Sequence, residues 1–575
     1  MTEIQLDQRR RDILSSTGHI VIEGGPGCGK TTIALIKAAR CRADLKAEQR
    51  ILFLSFSRAA VRQVTDRMRT TLGSVERASL EVRTFHSFFL DLVRSHGRLL
   101  TGRQARFITP EREAILRAGF AGDDDAWKAE KHRLATNESL YVFDTLAPAL
   151  ADLLERSNDL RKLYSNRYPV VVVDEFQDTS TDQWRVVQAL SKGSTIICLA
   201  DPDQRIYDHI EGVDERRLEV AKEVLRPETF DLSSDNHRSP ASGLLEYANA
   251  VLRNAPTSAP PNVESFSYMW TKPELVTHYL VQKTRAKLAS QLDAPPTVAV
   301  LTRVNTFAGR ISESLSQQEE LHGETLGPVD HILYWDPELA AASALVVASI
   351  LEWPTVPPKE AVASTLQSIA DYYRVKVGLG TAGARNKVST LERAIKAIAD
   401  DKQPASKTAK VLLQTAKLPP PLTGRSVADW NIACIALKGS TELEELAKKV
   451  RLVRLLNATS AVAWALADTW NGVTGYPGAV DAVRTALAAE ALDVQQPNEA
   501  PVHVMTMHKS KGKEFDAVII VEGRHDMPLL DPLPGSKTEQ ADRRLLRVAI
   551  TRARHLVVMI RPAAAPALTP PAPAL

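Results

Sequence analysis

Gly24-Gly25-Pro26-Gly27-Cys28-Gly29-Lys30-Thr31 has the residue types and spacing to hold a chain of phosphates. Glycines let successive backbone N–H groups turn inward, and the start of a following helix adds free N–H groups and a positive dipole end. Lys30 then reaches the β- and γ-phosphates, and the Thr31 hydroxyl ligates Mg²⁺. The alternative is a glycine-rich turn joining a strand to a helix. A second acidic constellation, Asp174-Glu175-Phe176-Gln177-Asp178, follows four consecutive valines. Asp174 is suited to the same Mg²⁺, and Glu175 to orienting and deprotonating a water. Gln204 could touch a terminal phosphate, Tyr207 a base, and Arg238 developing phosphate charge. Taken singly, each of these would more commonly be a surface or core residue.

These groups need elements to carry them. His19–Ile22 is a short apolar run and Ile33–Ala39 is helix-competent, giving the strand, loop and helix that a P-loop requires. Val170–Val173 reads as a strand buried on both faces of a parallel sheet, with its carboxylates at the carboxyl end where α/β sheets bind ligands. Ile51–Ser57, Leu80–Phe88 and Thr195–Ala200 read as further strands and strand ends. Phe56, Thr84 and His86 stand at two of these ends and could stack bases or hold phosphates of a single strand. Thr297–Asn305 restarts the strand-to-helix rhythm and begins a second α/β unit. Leu443, Leu446, Val450 and Val453 recur at helical spacing and read as helix core. Three arginines in a row, Arg9-Arg10-Arg11, read as a solvated face.

Bulk properties narrow the class. The chain has 575 residues, 44% hydrophobic and 25% charged, with net charge +3, so several globular domains fit. The slight basic balance does not by itself argue for nucleic acid. Cys28, Cys41, Cys198 and Cys434 form no CxxC pair, which leaves no support for zinc, an iron–sulfur cluster or a disulfide scaffold. No signal-peptide core is seen, and no apolar run approaches the ~18–20 residues of a membrane helix. The expectation is a cytoplasmic protein without a membrane partner.

In order along the chain, Thr84–Phe88, Asp174–Thr179, Thr506–Phe515 and Val548–Ala553 resemble the motifs of superfamily 1 DNA helicases of the UvrD/Rep/PcrA type. The resemblance runs from Gln8 to about Arg554. It implies an α/β fold of two RecA-like domains, each a parallel sheet flanked by helices and each with a helical insertion. The implied boundaries are 1–96 and 166–235 for the first RecA-like domain, with 97–165 inserted, and 236–353 and 498–562 for the second, with 354–497 inserted; from its alanine- and proline-rich composition the tail 563–575 is expected to be disordered.

The family's chemistry carries over residue by residue. Gln8 would read adenine, Gly24 to Thr32 would cradle the nucleotide with Lys30 and Thr31 on phosphate and metal, His237 would lie on the base, and Glu514 would contact the ribose. Glu175 would be the base, with Gln204, Arg238 and Arg552 around the γ-phosphate. Phe56, Thr84, His86, Tyr207, His209, Arg303, Thr506 and His508 would lie along DNA. The implied activity is ATP-dependent, Mg²⁺-assisted 3′→5′ movement on single-stranded DNA or 3′-tailed duplex. A second reading is a DNA-stimulated ATPase or sensor subunit, with little unwinding of its own, working beside a nuclease or repair protein in an anti-phage or recombination complex. Thr32, His237, His209 and Ile210 depart from the family pattern, so a looser grip on the bases and a reduced step coupling are expected.

Overall fold

Alternation of β-branched runs with helix-capping residues produces two parallel sheets. In the computed structural model, which describes residues 7–206, 212–233, 235, 242–334, 337–378, 383–450, 461–492, 500–524 and 527–571, the first sheet has six strands. They are β1 (Ile20–Glu23), β2 (Ile51–Ser55), β3 (Leu80–Thr84), β4 (Val170–Val173), β5 (Thr195–Ala200) and β6 (Glu228–Asp231), in the order β3-β2-β4-β5-β1-β6. All pairings are parallel, with Ile20 opposite Ile197 and Val170 opposite Thr195. The valines of β4 are all buried, as expected for a strand covered on both faces.

This strand order decides the site. β5 lies between β1 and β4, so the loops leaving these three strands emerge side by side at one edge, about 5 Å apart per strand. Helix α1 (Gln8–Ser15), capped by Asp7, precedes β1; α2 (Lys30–Cys41) follows it; α3 (Arg58–Thr71), capped by Ser57, follows β2.

The second sheet is built of β7 (Val263–Tyr268), β8 (Val298–Thr302), β9 (His331–Leu333), β10 (Val502–Thr506), β11 (Phe515–Val521) and β12 (Ala553–Pro562), ordered β9-β10-β8-β11-β12-β7 and again parallel throughout. The architecture is α/β, with two RecA-like sheets flanked by helices.

Two compact units partition the chain: residues 1–100, 146–334 and 496–575 hold both sheets, while 101–145 and 335–495 form the other. The second is mainly helical and carries its own core, in which Leu443, Leu446 and Val450 are buried as their spacing suggested; Val453 lies outside the described residues. Its acidic run Asp123-Asp124-Asp125 starts the helix Asp124–Glu138, with Asp123 accepting a hydrogen bond from the Ala126 N–H.

Three expectations change. The second insertion begins before 354, because the helix Pro337–Leu351 falls in the helical unit and its buried residues join that unit's core. The first insertion is narrower than 97–165, because the helix Asn158–Arg167 and nearly all of Phe143–Arg156 fall in the sheet-bearing unit. There Arg185 pairs with Asp152 and Glu155, and the Ser165 hydroxyl bonds the Leu190 carbonyl. The tail is not free through residue 571 either: Leu568 is buried in the second sheet's core, and its carbonyl accepts from Arg543. Among the described residues no helix is long and apolar enough to cross a membrane.

Candidate functional site: a nucleotide cavity between two parallel sheets

The phosphate loop leaves β1 in a backbone shape that glycine supplies. Gly27 and Gly29 have φ of 78° and 91°, values that an L side chain would resist. A Cβ at Gly24 would meet the Cys28 sulfur at 2.6 Å and the Leu232 backbone at 3.3 Å. Lys30 opens α2, and its ammonium donates to the carbonyls of Gly24 (2.6 Å) and Gly25 (3.0 Å). From α1, Arg10 is nearly buried and braces the loop by donating to the Cys28 carbonyl (3.0 Å) while pairing with Asp7 and Asp235. It is not the solvated residue that the arginine run suggested.

The acidic strand end lies on the same cavity. Glu175 sits at φ 52°, a left-handed conformation that costs a non-glycine residue energy and recurs at functional sites. Gln177 ties two loops together: its amide donates to Glu175 (2.6 Å), and its carbonyl oxygen accepts from the Asp201 N–H (3.0 Å). Burial, reinforced by the adjacent Glu175 charge, pushes Asp174 up to about 7 against the pull of Lys30. Burial also opposes charge on Glu175, but Lys511, Lys30, the Gln177 hydrogen bond and Arg552 hold it below the ordinary glutamate value. The two neighbours are thus pushed apart in acidity.

The second sheet completes the cavity. Arg552, immediately before β12, is buried and donates to the Gln204 side-chain oxygen at 3.0 Å. Lys511 donates to the Asp178 carboxylate and to the Gln204 carbonyl (2.6 Å), and stands 3.6 Å from Glu175. Glu514, immediately before β11, accepts from Gln63 of α3 (2.8 Å) and from Arg554 (3.3 Å), with Arg67 at 3.8 Å. Together they enclose about 330 Å³ lined by Gly25–Thr32, Gln63, Arg67, Asp174, Glu175, Gln204, Gly512, Glu514, Arg552 and Arg554. Lys511, Gln63, Arg67, Arg554 and Arg10 were not singled out from sequence. Gln63 and Arg67 carried a signal, since they are four apart and share one helix face.

Gln8 is exposed at the start of α1, with its amide on Asp12 (2.8 Å), and is not among the cavity-lining residues. Tyr207, His209, His237 and Arg238 lie outside the described residues. Phe56 is partly exposed, its ring 5.0 Å from that of Phe85. Thr84 is buried and caps the next helix by accepting from the Ser87 N–H, so its hydroxyl serves the fold. His86 and His508 are partly exposed, while Thr506 is buried at the end of β10. Arg303, expected along DNA, has a side chain only 10% exposed, its guanidinium 2.6 Å from Asp542. The carboxylate that pairs with it is buried too, so this arginine is engaged inside the protein.

Comparison with known proteins bears on the family. The family model described as the UvrD/REP helicase N-terminal domain matches residues 6–140 and 125–223, and that of the UvrD-like helicase C-terminal domain matches 478–562. The chain is similar to the putative ATP-dependent DNA helicase YjcD of Bacillus subtilis, 23% identical over 620 residues, covering 96% of this chain and 78% of the relative. It is likewise similar to ATP-dependent DNA helicase UvrD1 of Mycobacterium leprae, 23% identical over 96% of this chain and 82% of the relative. With ATP-dependent DNA helicase Rep of Escherichia coli it shares 25% identity over 47% of this chain and 49% of the relative. Matched at both ends and aligned with two of these relatives through nearly all its length, the chain belongs to the UvrD/Rep helicase family and is an ATP-hydrolysing enzyme.

Proposed function

We propose that this protein is an ATP-dependent DNA helicase that translocates 3′→5′ along single-stranded DNA. The observation that carries the reading is the cavity itself, where Lys30 and Glu175 from one sheet face Glu514 and Arg552 from the other. In the proposed cycle the phosphate-loop N–H groups and Lys30 hold the triphosphate. Glu175, kept ionised by its cationic neighbours, takes a proton from the attacking water. Arg552 offsets charge on the terminal phosphate and loses that role when the sheets part, which couples hydrolysis to movement. Gln204, bonded to Arg552 and in the turn leading toward Tyr207, links the phosphate end to a proposed DNA contact. Phe56, His86 and His508, at the carboxyl ends of β2, β3 and β10, supply stacking and phosphate contacts.

Mg²⁺ fits the donor set. Thr31 and Asp174 offer oxygen ligands on one cavity, and Asp174 is a carboxylate whose charge is opposed by burial and by Glu175, the setting a hard cation relieves. Bound there with the substrate phosphates, the ion would neutralise charge on the β- and γ-oxygens.

Strand displacement on 3′-tailed and 5′-tailed duplexes, for the natural protein and Glu175→Gln, tests the reading. ATP-dependent unwinding of the 3′-tailed substrate alone, lost in the variant, is expected. Robust DNA-stimulated hydrolysis with no displacement of either substrate would overturn the motor assignment in favour of a sensor.

A further inference from the structure

The helix Lys537–Ile550 carries another arginine close to the nucleotide cavity, five residues before Arg552. Arg547 is 2% exposed, and its Nε donates to the Asn249 side-chain oxygen at 2.9 Å. Its terminal nitrogens face the turn after β5: Nη1 lies 3.6 Å from an Asp201 oxygen and Nη2 lies 3.7 Å from an Asp203 oxygen. These are ion-pair separations, too long for hydrogen bonds. Nη1 is buried and makes no hydrogen bond among the described residues. On the other side, a Cβ built on Gly25 would lie 3.9 Å from Nη2. The guanidinium is therefore wedged between the phosphate loop and the turn, with its charge matched and two hydrogen bonds unmade.

The turn it faces leads directly to the reacting end of the cavity. The same Asp201 oxygen that faces Arg547 accepts from the Gln204 amide at 2.6 Å, and Gln204 accepts from Arg552 at 3.0 Å. A chain of buried groups thus runs from Arg547 through Asp201 and Gln204 to Arg552. Arg547 is absent from the residues lining the cavity, so any influence on the substrate passes through that chain.

We propose that Arg547 is a positioning residue for hydrolysis, drawing the Asp201–Gln204 turn against the phosphate loop so that Gln204 and Arg552 are set on the terminal phosphate. The proposal rests on reading the cavity as a nucleoside triphosphate site. A small approach of the two carboxylates converts both ion pairs into charge-assisted hydrogen bonds, the stronger and more directional kind. A buried cation with incomplete hydrogen bonds is costly. The gain on completing them is available only when the turn and the helix come together, which makes the contact a closure device.

The test uses the full-length chain with Arg547→Met, Arg547→Lys, Asp203→Asn and the Arg547→Met/Asp203→Asn pair. Readouts are kcat and KM for ATP with saturating oligo-dT, the Kd for a fluorescent ADP, and Tm. Arg547→Met should lower kcat about ten- to hundredfold, the worth of a charge-assisted pair, while KM and the ADP Kd stay within about threefold, as for an interaction not made with bound substrate. Arg547→Lys should recover part of the loss, since one ammonium can serve one carboxylate. Asp203→Asn should lower kcat less, and adding it to Arg547→Met should cost little more, because the two share one interaction. A lowered Tm with unchanged kcat per folded molecule overturns the proposal in favour of a purely structural arginine. Unchanged kcat with raised KM and ADP Kd overturns it in favour of a phosphate contact. If Arg547→Met does not fold, Arg547→Lys and Asp203→Asn carry the same readings. Failure of the underlying site shows separately, as a natural protein whose hydrolysis is absent or survives Lys30→Ala.

Discussion

In the proposed cycle Glu175 and Arg552 divide the work of the cavity, and the charges around them say how. Glu175 is surrounded by Lys30, Lys511 and Arg552, so its carboxylate is ionised and ready to accept a proton. Glu175→Gln keeps the shape and the Gln177 contact but removes that capacity. Phosphate release should fall by about 10²–10⁴-fold, with nucleotide affinity retained in a fluorescence titration; a loss smaller than about fivefold on the same scale would rule out a base at this position. Arg552 offers a planar fork, one arm of which is held by Gln204. Arg552→Ala should cost about 10³-fold or more in kcat, the range for an arginine acting on transferred phosphate. Arg552→Lys should recover little, because a point charge cannot hold Gln204 and phosphate in the same geometry. Single-turnover hydrolysis of bound ATP separates both effects from binding.

At the scale of elements, much of the site was legible because the strand-loop-helix pattern at Gly24–Thr31 and the valine run before Asp174 each fix a backbone context. Strand order brought them together, and order is not written in local periodicity: β5 inserts between β1 and β4 through pairings distant in sequence. The same holds for Arg10. Next to Arg9 and Arg11 it reads as surface, yet the direction of α1 turns it onto the Cys28 carbonyl and Asp235. Arg10→Met should therefore lower unfolding free energy by about 3 kcal/mol, the cost of stranding a buried partner charge, and weaken nucleotide binding as the loop loses its brace. Urea unfolding and nucleotide titration check both, and a variant as stable as the parent would return Arg10 to the surface.

Strand β10 supplies a pH-dependent counterpart. His503 is buried, 3.1 Å from the Tyr334 hydroxyl, and burial together with the nearby Lys513 charge lowers it to about 4. A base whose folded value lies below its unfolded value of about 6.5 is proton-poor in the fold, so stability falls as pH drops from about 6.5 toward 4. That window should cost up to about 3 kcal/mol at its acid end. His503→Leu should flatten that part of the Tm–pH curve relative to the parent, and an identical slope would show that the imidazole charges freely in the fold.

For the whole molecule, the sheet-bearing unit and the largely helical unit each have their own buried clusters. Those of the first are built on the two sheets, and in the second a large one centres on residues such as Leu366, Tyr372, Tyr373 and Tyr476 beside a small one of Ile108, Leu134 and Val142. The proposed nucleotide touches only the first, since every residue lining the cavity falls within it. A ligand stabilises what it binds in proportion to the logarithm of its concentration over Kd, about 2.7 kcal/mol at a hundredfold excess. Calorimetry should accordingly resolve more than one transition, with Mg²⁺ and a non-hydrolysable ATP analogue moving one upward and leaving the other in place. The shift should vanish in Lys30→Ala. Equal displacement of every transition would mean that the helical unit shares the binding energy, and with it that the insertions respond to nucleotide directly.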